Sequence, residues 1–154
     1  APSFRGTFAR RGLETRYVDQ MIDYEFADFP QLSIIIDGAE ASMDSLVHWK
    51  NYQAANVGAN AFTSRYAEYF HTDYGLITLE NEESDSRQDL LIVADSYSNC
   101  MERFLAVHYR TTYVLDPRHD DETIDAFLAQ HQDVSDPFHN AESEHVGASD
   151  GTCS

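Results

Sequence analysis

The sequence predicts a three-layer α/β domain with parallel central strands, and three observations carry that prediction. Leu90 to Ala94 is an unbroken apolar run between Asp89 and Asp95, the pattern of a strand covered on both faces. Directly after it, Tyr97, Met101, Phe104 and Leu105 recur at the spacing of one helix face. The alternation then repeats, with a strand at 111–115 and a helix over 121–130 whose buried face is Ile124, Phe127 and Leu128. Such a β-α-β-α order implies parallel strands joined by crossovers. Functional groups in these sheets gather beyond the carboxyl ends of the strands.

Taken in order, residues 1–20 carry Arg5, Arg10, Arg11 and Arg16 with little apolar periodicity. They read as a loop, either a solvated arm or a cationic rim to a site. Leu32 to Ile36 is a strand by its β-branched run, and Asp37-Gly38 stops it. Met43 to Lys50 is either a short helical turn or an irregular crossing, with Trp49 packing as core or rim. From Ala59 or Asn60, the residues Phe62, Tyr66, Tyr69 and Phe70 mark one helical face, which Asp73-Tyr74-Gly75 breaks. Ile77 and Leu79 alternate against Thr78 in a strand over 76–79. Asn81 to Gln88 is a solvated loop whose flexible carboxylates fix no metal geometry. The helix at 121–130 opens with Asp120, Asp121 and Glu122, where acids suit the dipole. One domain over 1–135 is expected, followed by a mobile acidic and polar tail at 136–154.

Length and charge narrow the function classes. A chain of 154 residues has room for one domain with its own core. A formal charge of -17, from 27 acids against ten basic side chains, argues against nucleic acid and against anionic membrane surfaces. No run approaches the ~20 apolar residues of a membrane helix. Cys100, expected to face the core, and Cys153, in the tail, suggest neither a disulfide framework nor a metal site. The histidines show no metal-ligand spacing. His119, beside Arg118, is the one among His48, His71, His108, His119, His131 and His145 with a site-like location.

The switch of period at Asp95-Ser96 places Ser96 on a strand-to-helix turn. Backbone N–H groups and the positive end of a helix dipole collect there. A serine so placed can cap the helix, act as a nucleophile with N–H groups stabilising an oxyanion, or do both. Asp95 is read as fixing the turn through backbone N–H groups rather than as a base. Asn99, one helical turn in, either donates to an oxyanion or ties the turn.

Asp95-Ser96-Tyr97-Ser98-Asn99, then Phe104-Leu105-Ala106-Val107-His108-Tyr109, then Tyr113-Val114-Leu115-Asp116-Pro117-Arg118 resemble the C-terminal half of the DHHW family. Those are bacterial cell-envelope proteins similar to the SGNH-like domain of alginate O-acetyltransferases. Phe4 to Gly12 resembles the family's Gly-Ser segment with its basic residues. The resemblance covers roughly residues 4 to 135 and is most specific in 89–118. It implies a flavodoxin-like, SGNH-type sheet and ester chemistry on an envelope carbohydrate, outside the cytoplasm and without a cofactor. Ser96 would be the nucleophile, and Arg118 would bind substrate or an oxyanion. An Asp116–Arg118 ion pair bracing the loop is the structural alternative.

The Asp-His-His-Trp motif that names the family lies upstream of its Gly-Ser segment and is not found here. His48-Trp49 is the one His-Trp pair, and it falls too late in the order. The chain is therefore expected to be the C-terminal part of a longer protein, a partial domain inactive in isolation. Asp136-Pro137-Phe138-His139 offers a second source for a base, since it resembles the Asp-x-x-His block closing SGNH hydrolase domains. A strand near 132–135 would bring it to the right edge. Against it, only about 40 residues separate Ser96 from His139, so short a match arises by chance, and a tail histidine is the plainer reading. The rival function is a non-catalytic module that binds glycan or protein. The sequence leaves the acyl group and the oligomeric state open.

Overall fold

The structure is a computed structural model and describes residues 3–4, 19–20, 24, 27–48, 65–70 and 72–139. Its elements are β1 (Ser3–Phe4), β2 (Asp19–Gln20), β3 (Ser33–Ile36), β4 (Ala39–Ala41), α1 (Met43–Leu46), α2 (Arg65–Phe70), β5 (Leu76–Glu80) and β6 (Asp89–Val93). A 3-10 turn (Ser98–Cys100), α3 (Glu102–Ala106), β7 (Thr111–Leu115), α4 (Ile124–Gln130) and β8 (Val134–His139) follow. The arginine-rich segment, the Gly-Ser-like stretch, Trp49, the start of the helix expected from residue 59, Cys153 and the tail beyond 139 lie outside the described residues.

Six strands form the main sheet in the order β4-β3-β5-β7-β6-β8. β7, β6 and β8 are parallel, as the βαβα pattern predicts. β5 runs antiparallel to β7, β3 to β5 and β4 to β3, so an antiparallel half that the sequence did not announce extends the parallel one. All five residues of β6 are buried, because both sides of the strand are covered. On one face, Leu90, Ile92 and Val114 pack with Leu46, Tyr69, Phe70 and Ala106 of α1, α2 and α3. On the other, Leu91, Val93 and Leu115 pack with Phe127 of α4. These are the three layers. Each fully buried Leu, Ile or Val there contributes about 1.5–3 kcal/mol relative to exposure.

β4 was missed in the sequence. Asp37 and Gly38 both have positive φ, 49° and 81°, and a two-residue hairpin with a type I′ turn requires that at both central positions. Asp37 also reaches across the sheet. Its backbone N–H donates to the Leu76 carbonyl at 2.9 Å, and its carboxylate accepts from Leu76 N–H at 2.9 Å. Beside this contact, a Cβ on Gly75 would lie 2.8 Å from the His119 carbonyl oxygen and 3.2 Å from Asp37 Oδ1, so the close approach needs glycine.

The helix expected over 97–107 is broken into the 3-10 turn and α3; of its predicted face Leu105 packs against the core, but Tyr97 and Met101 do not. Tyr97 and Met101 are exposed, as is Cys100, whose thiol donates to the Tyr97 carbonyl at 3.3 Å instead of facing the core. Ser98, Glu102 and Ala106, spaced four apart, are the residues turned inward. The inversion has a physical reason: Ser98 Oγ lies 2.8 Å from Glu102 Oε1, so two polar side chains satisfy each other under the sheet edge.

α4 starts at Ile124 rather than at the acids. Thr123 caps it by accepting from Ala126 N–H at 3.2 Å. The strand expected near 132–135 runs from Val134 to His139, past the boundary drawn at 135. No helix among the described residues is long and apolar enough to cross a membrane.

Candidate active site

Ser96 follows β6 by three residues, beyond the carboxyl end of a strand that lies one in from the sheet's edge, not at its centre, and runs parallel to both neighbours. It is half-buried. Its hydroxyl makes no hydrogen bond among the described residues. Nor is it a cap: Tyr97 and Met101 hold the N-cap positions of the 3-10 turn and of α3. The capping work falls to Asp95, whose carboxylate accepts from Tyr97 N–H at 2.8 Å and whose carbonyl accepts from Ser98 N–H at 3.0 Å. Tyr66, from α2, donates its phenol proton to the Ser96 carbonyl at 2.6 Å and pins the turn from above. Burial, and then the neighbouring Cys100 and Glu102, raise that phenol beyond the ordinary tyrosine range.

Parallel strands end side by side, so the loop after β7 meets this turn. Asp116 is buried there. Its carboxylate accepts from Arg118 N–H at 2.9 Å and from Arg118 Nε at 2.9 Å, and it pairs with Nη2. Burial pushes the Asp116 carboxyl up, but the hydrogen bonds and charge of Arg118 outweigh it and hold the group below its usual value. The Arg118 guanidinium is held correspondingly more firmly in its charged form, chiefly by its bond to Asp116. Arg118 Nη2 also reaches Asp73 Oδ2 at 3.2 Å, while Nη1 makes no hydrogen bond among the described residues.

Asp73 is the residue the sequence reading missed. One oxygen accepts from Asn99 Nδ2 at 3.1 Å, and the other accepts from Arg118 and lies 4.0 Å from His119 Nε2. Asn99 is thereby tied across to the loop after α2. Asp73, Asp116 and His119 place one ligand atom each within 4.8 Å of one another, a geometry that could hold a cation. The Arg118 guanidinium already bonds both carboxylates and fills the cation's place. Tyr66, Phe70, Thr72, Asp73, Ser96, Asn99 and His119 line an open cleft of about 420 Å³. A much smaller space beneath it, about 20 Å³, is bounded by Asp73, Asp95, Asn99, Glu102, Arg103 and Asp116.

The structure therefore brings Asp95, Ser96, Asn99 and Arg118 to one sheet edge. Asp136 and His139 lie in β8, paired with Leu90 and Val93 of β6. His139 thus sits at the carboxyl end of the strand next to that of Ser96. Asp136 lies three residues back, about 10 Å along an extended strand, so the block is not a compact loop. In the sequence Asp73 was a lone acid in a helix-breaking loop, and no periodicity or spacing marked it.

No protein-family model matches the chain, and no curated protein matches it significantly in sequence. Solved structures do match its fold. Bacillus cereus PatB1 superposes with a TM-score of 0.58 at 22% identity, over 81% of this chain and 43% of that one. PatB1 with a sulfonyl adduct gives 0.54 at 22%, over 70% and 36%. A DHHW family protein from Eubacterium siraeum gives 0.50 at 16% identity, over 88% and 44%. The chain spans less than half the length of each. Its three-layer α/β sheet, with parallel strands along one side, is the SGNH-like fold shared with PatB1 and with a DHHW family protein.

Proposed function

We propose that this chain is the serine-bearing part of an O-acetyltransferase or esterase-like domain acting on a carbohydrate of the cell envelope, with Ser96 as nucleophile. The observation that carries the reading is the Ser96 hydroxyl. It is free of partners among the described residues, sits beyond the carboxyl end of β6, which is parallel to both its neighbours, and belongs to a residue that lines the cleft. In the mechanism, Ser96 Oγ attacks the acyl carbonyl while a base takes its proton. The alcohol leaves, and a sugar hydroxyl or water attacks the resulting acyl-enzyme. Arg118, with Nη1 open, would steady the developing oxyanion or bind the sugar. Asn99, held by Asp73, would keep the turn in place, and Asp95 would fix the N–H groups around Ser96. The mechanism calls for no cofactor. A sulfonyl adduct on PatB1 agrees with this reading, since such adducts form where a side chain displaces a leaving group from sulfur.

The base is the open element. Of His48, His108, His119 and His131, none hydrogen-bonds Ser96. His119 lines the cleft, and His139 shares the sheet edge by its backbone position. We take the base and its orienting acid to come from a segment outside this chain, in the manner of an Asp-His-His-Trp motif. That Ser96 makes no hydrogen bond to a base among the described residues agrees with the second reading, a non-catalytic glycan- or protein-binding envelope module.

The test is p-nitrophenyl acetate hydrolysis by the chain, by Ser96→Ala and by His139→Ala. Background rates in all three are expected, because a positioned base supplies typically 10²–10⁴-fold. Robust turnover lost in both variants would instead assign Asp136 and His139 to a local triad. Adding a segment that bears Asp-His-His-Trp, on the chain or in trans, should then raise turnover in a Ser96-dependent way. If it does not, the module reading replaces the enzyme.

A further inference from the structure

Beneath the Ser96 turn lies a carboxylic acid that the proposed chemistry does not use. Glu102 is 5% exposed, and Ser98 is 1% exposed. Ser98 Oγ lies 2.8 Å from Glu102 Oε1 and 2.8 Å from the Asp95 carbonyl oxygen. A serine hydroxyl has one proton to give and two lone pairs to receive with. It cannot donate to both acceptors. If Glu102 were ionised, one of these buried contacts would be acceptor against acceptor. Both are satisfied when Glu102 carries a proton: Glu102 donates to Ser98, and Ser98 donates to Asp95.

We infer that Glu102 is a neutral acid in the folded chain and a positioning residue for Ser96. Its proton completes a buried chain, Glu102 to Ser98 to Asp95, which fixes the turn that presents the Ser96 hydroxyl. The charged surroundings agree. Asp73, from the loop after α2, and Asp116, from the loop after β7, both face Glu102 with like charge. Tyr66 of α2 is an acid that stays protonated beside it. Asp95 and Arg103 bound the same small space. Arg118 pairs with Asp116 and Asp73. Burial above all, opposed by the Ser98 hydrogen bond and aided by Asp73 and Asp116, lifts the Glu102 carboxyl to about 7. Near neutrality the proton, and with it the geometry of the turn, becomes titratable. The term positioning residue rests on the reading of Ser96 as nucleophile; the proton chain itself does not.

The experiment follows the Glu102 side-chain carboxyl and the Ser96, Tyr97 and Ser98 backbone amides by NMR through pH 4–9, in the wild-type chain and in Glu102→Gln. The amide of glutamine keeps a donor for Ser98 but does not titrate. Expected is a Glu102 midpoint well above that of the exposed glutamates, with the three amides shifting at the same midpoint in wild type and not in Glu102→Gln. A Glu102 that titrates with the exposed glutamates would overturn the inference. So would turn amides that ignore its titration. The wild-type titration decides the matter even if the variant does not fold. Because no ester is involved, the outcome is separable from failure of the proposed activity.

Discussion

Asn99 Nδ2 donates to Oδ1 of Asp73 at 3.1 Å, and Arg118 approaches the other oxygen at 3.2 Å. One carboxylate thus joins the turn after β6 to the loop after β7. The site edge is held by a side chain from a third loop, the one leading into β5. That arrangement makes the edge stiff without burying its charges fully. It also explains why the Arg118 pair differs from an ordinary surface ion pair: Asp116 is buried and accepts from both the side chain and the backbone of Arg118.

Asp116→Asn should therefore destabilise the chain more than Asp73→Asn does. The Asp116 hydrogen bonds involve charged partners and a buried acceptor, so a loss of about 1–2 kcal/mol is expected, roughly 2–8 °C in Tm. The Asp73 pair is more exposed, and ~1 kcal/mol or less is expected. The pH dependence has a definite sign. Asp116 titrates below its ordinary value of 3.8 in the fold, so its contribution is present above that value and lost as pH falls through the folded value. The Tm gap between wild type and Asp116→Asn should be widest near neutrality and close below about pH 4. A gap that persists in acid would mean that shape, not charge, is what Asp116 supplies.

Gly75→Ala tests the close approach of the hairpin turn, β5 and the His119 loop. A methyl group 2.8 Å from a backbone carbonyl oxygen forces a shift. The cost is about 1–3 kcal/mol, read as a lower urea midpoint at unchanged m-value. An unchanged midpoint would show that the 116–120 loop yields freely, and that it is too soft to hold Arg118.

Thr112 is fully buried in β7, and its hydroxyl finds no partner among the described residues. An unpaired buried hydroxyl costs about 1–3 kcal/mol. Thr112→Val has nearly the same shape, so it should leave stability unchanged or raise it by about 1 kcal/mol. A loss larger than 1 kcal/mol in thermal unfolding would mean that the hydroxyl is satisfied after all.

These particulars show which parts of the molecule the sequence exposes. β6 was legible because a strand buried on both faces leaves an unbroken apolar run, β7 because its Thr, Tyr and Val are β-formers, and β5 because Ile77 and Leu79 alternate. The location of Ser96 followed from the change of period at Asp95-Ser96. The inward face of α3 did not follow. Apolar spacing pointed to Tyr97 and Met101, while the hydrogen bond between Ser98 and Glu102 turned polar residues inward. Pairwise satisfaction of buried polar groups is a tertiary matter and leaves no period. The hairpin at Asp37-Gly38 was readable in principle, since Asp-Gly is a strong primed-turn signal, but the short β4 that follows carries only three residues. Asp73 could be found only from coordinates, because its partners Asn99 and Arg118 lie 26 and 45 residues away.

Tyr66→Phe gives the most direct view of how the turn is held. The phenol donates to the Ser96 carbonyl at 2.6 Å from a half-buried position between Phe70 and the cleft. Removing it deletes one hydrogen bond, for about 1 kcal/mol, and keeps the ring packing against Phe70. Two readouts follow. In an ultraviolet titration the wild-type chain should keep Tyr66 protonated well past the ordinary range, since burial and then the nearby Cys100 and Glu102 raise it, and burial raises Tyr113 as well. The late component should shrink by one phenol in Tyr66→Phe. In hydrogen exchange, the Tyr97 and Ser98 amides, which bond within the turn to Asp95, should exchange faster in the variant by more than the global loss of stability explains. If Tm falls while those two amides keep their protection, Tyr66 serves packing alone, and the Asp95–Ser98 turn holds Ser96 without help from α2.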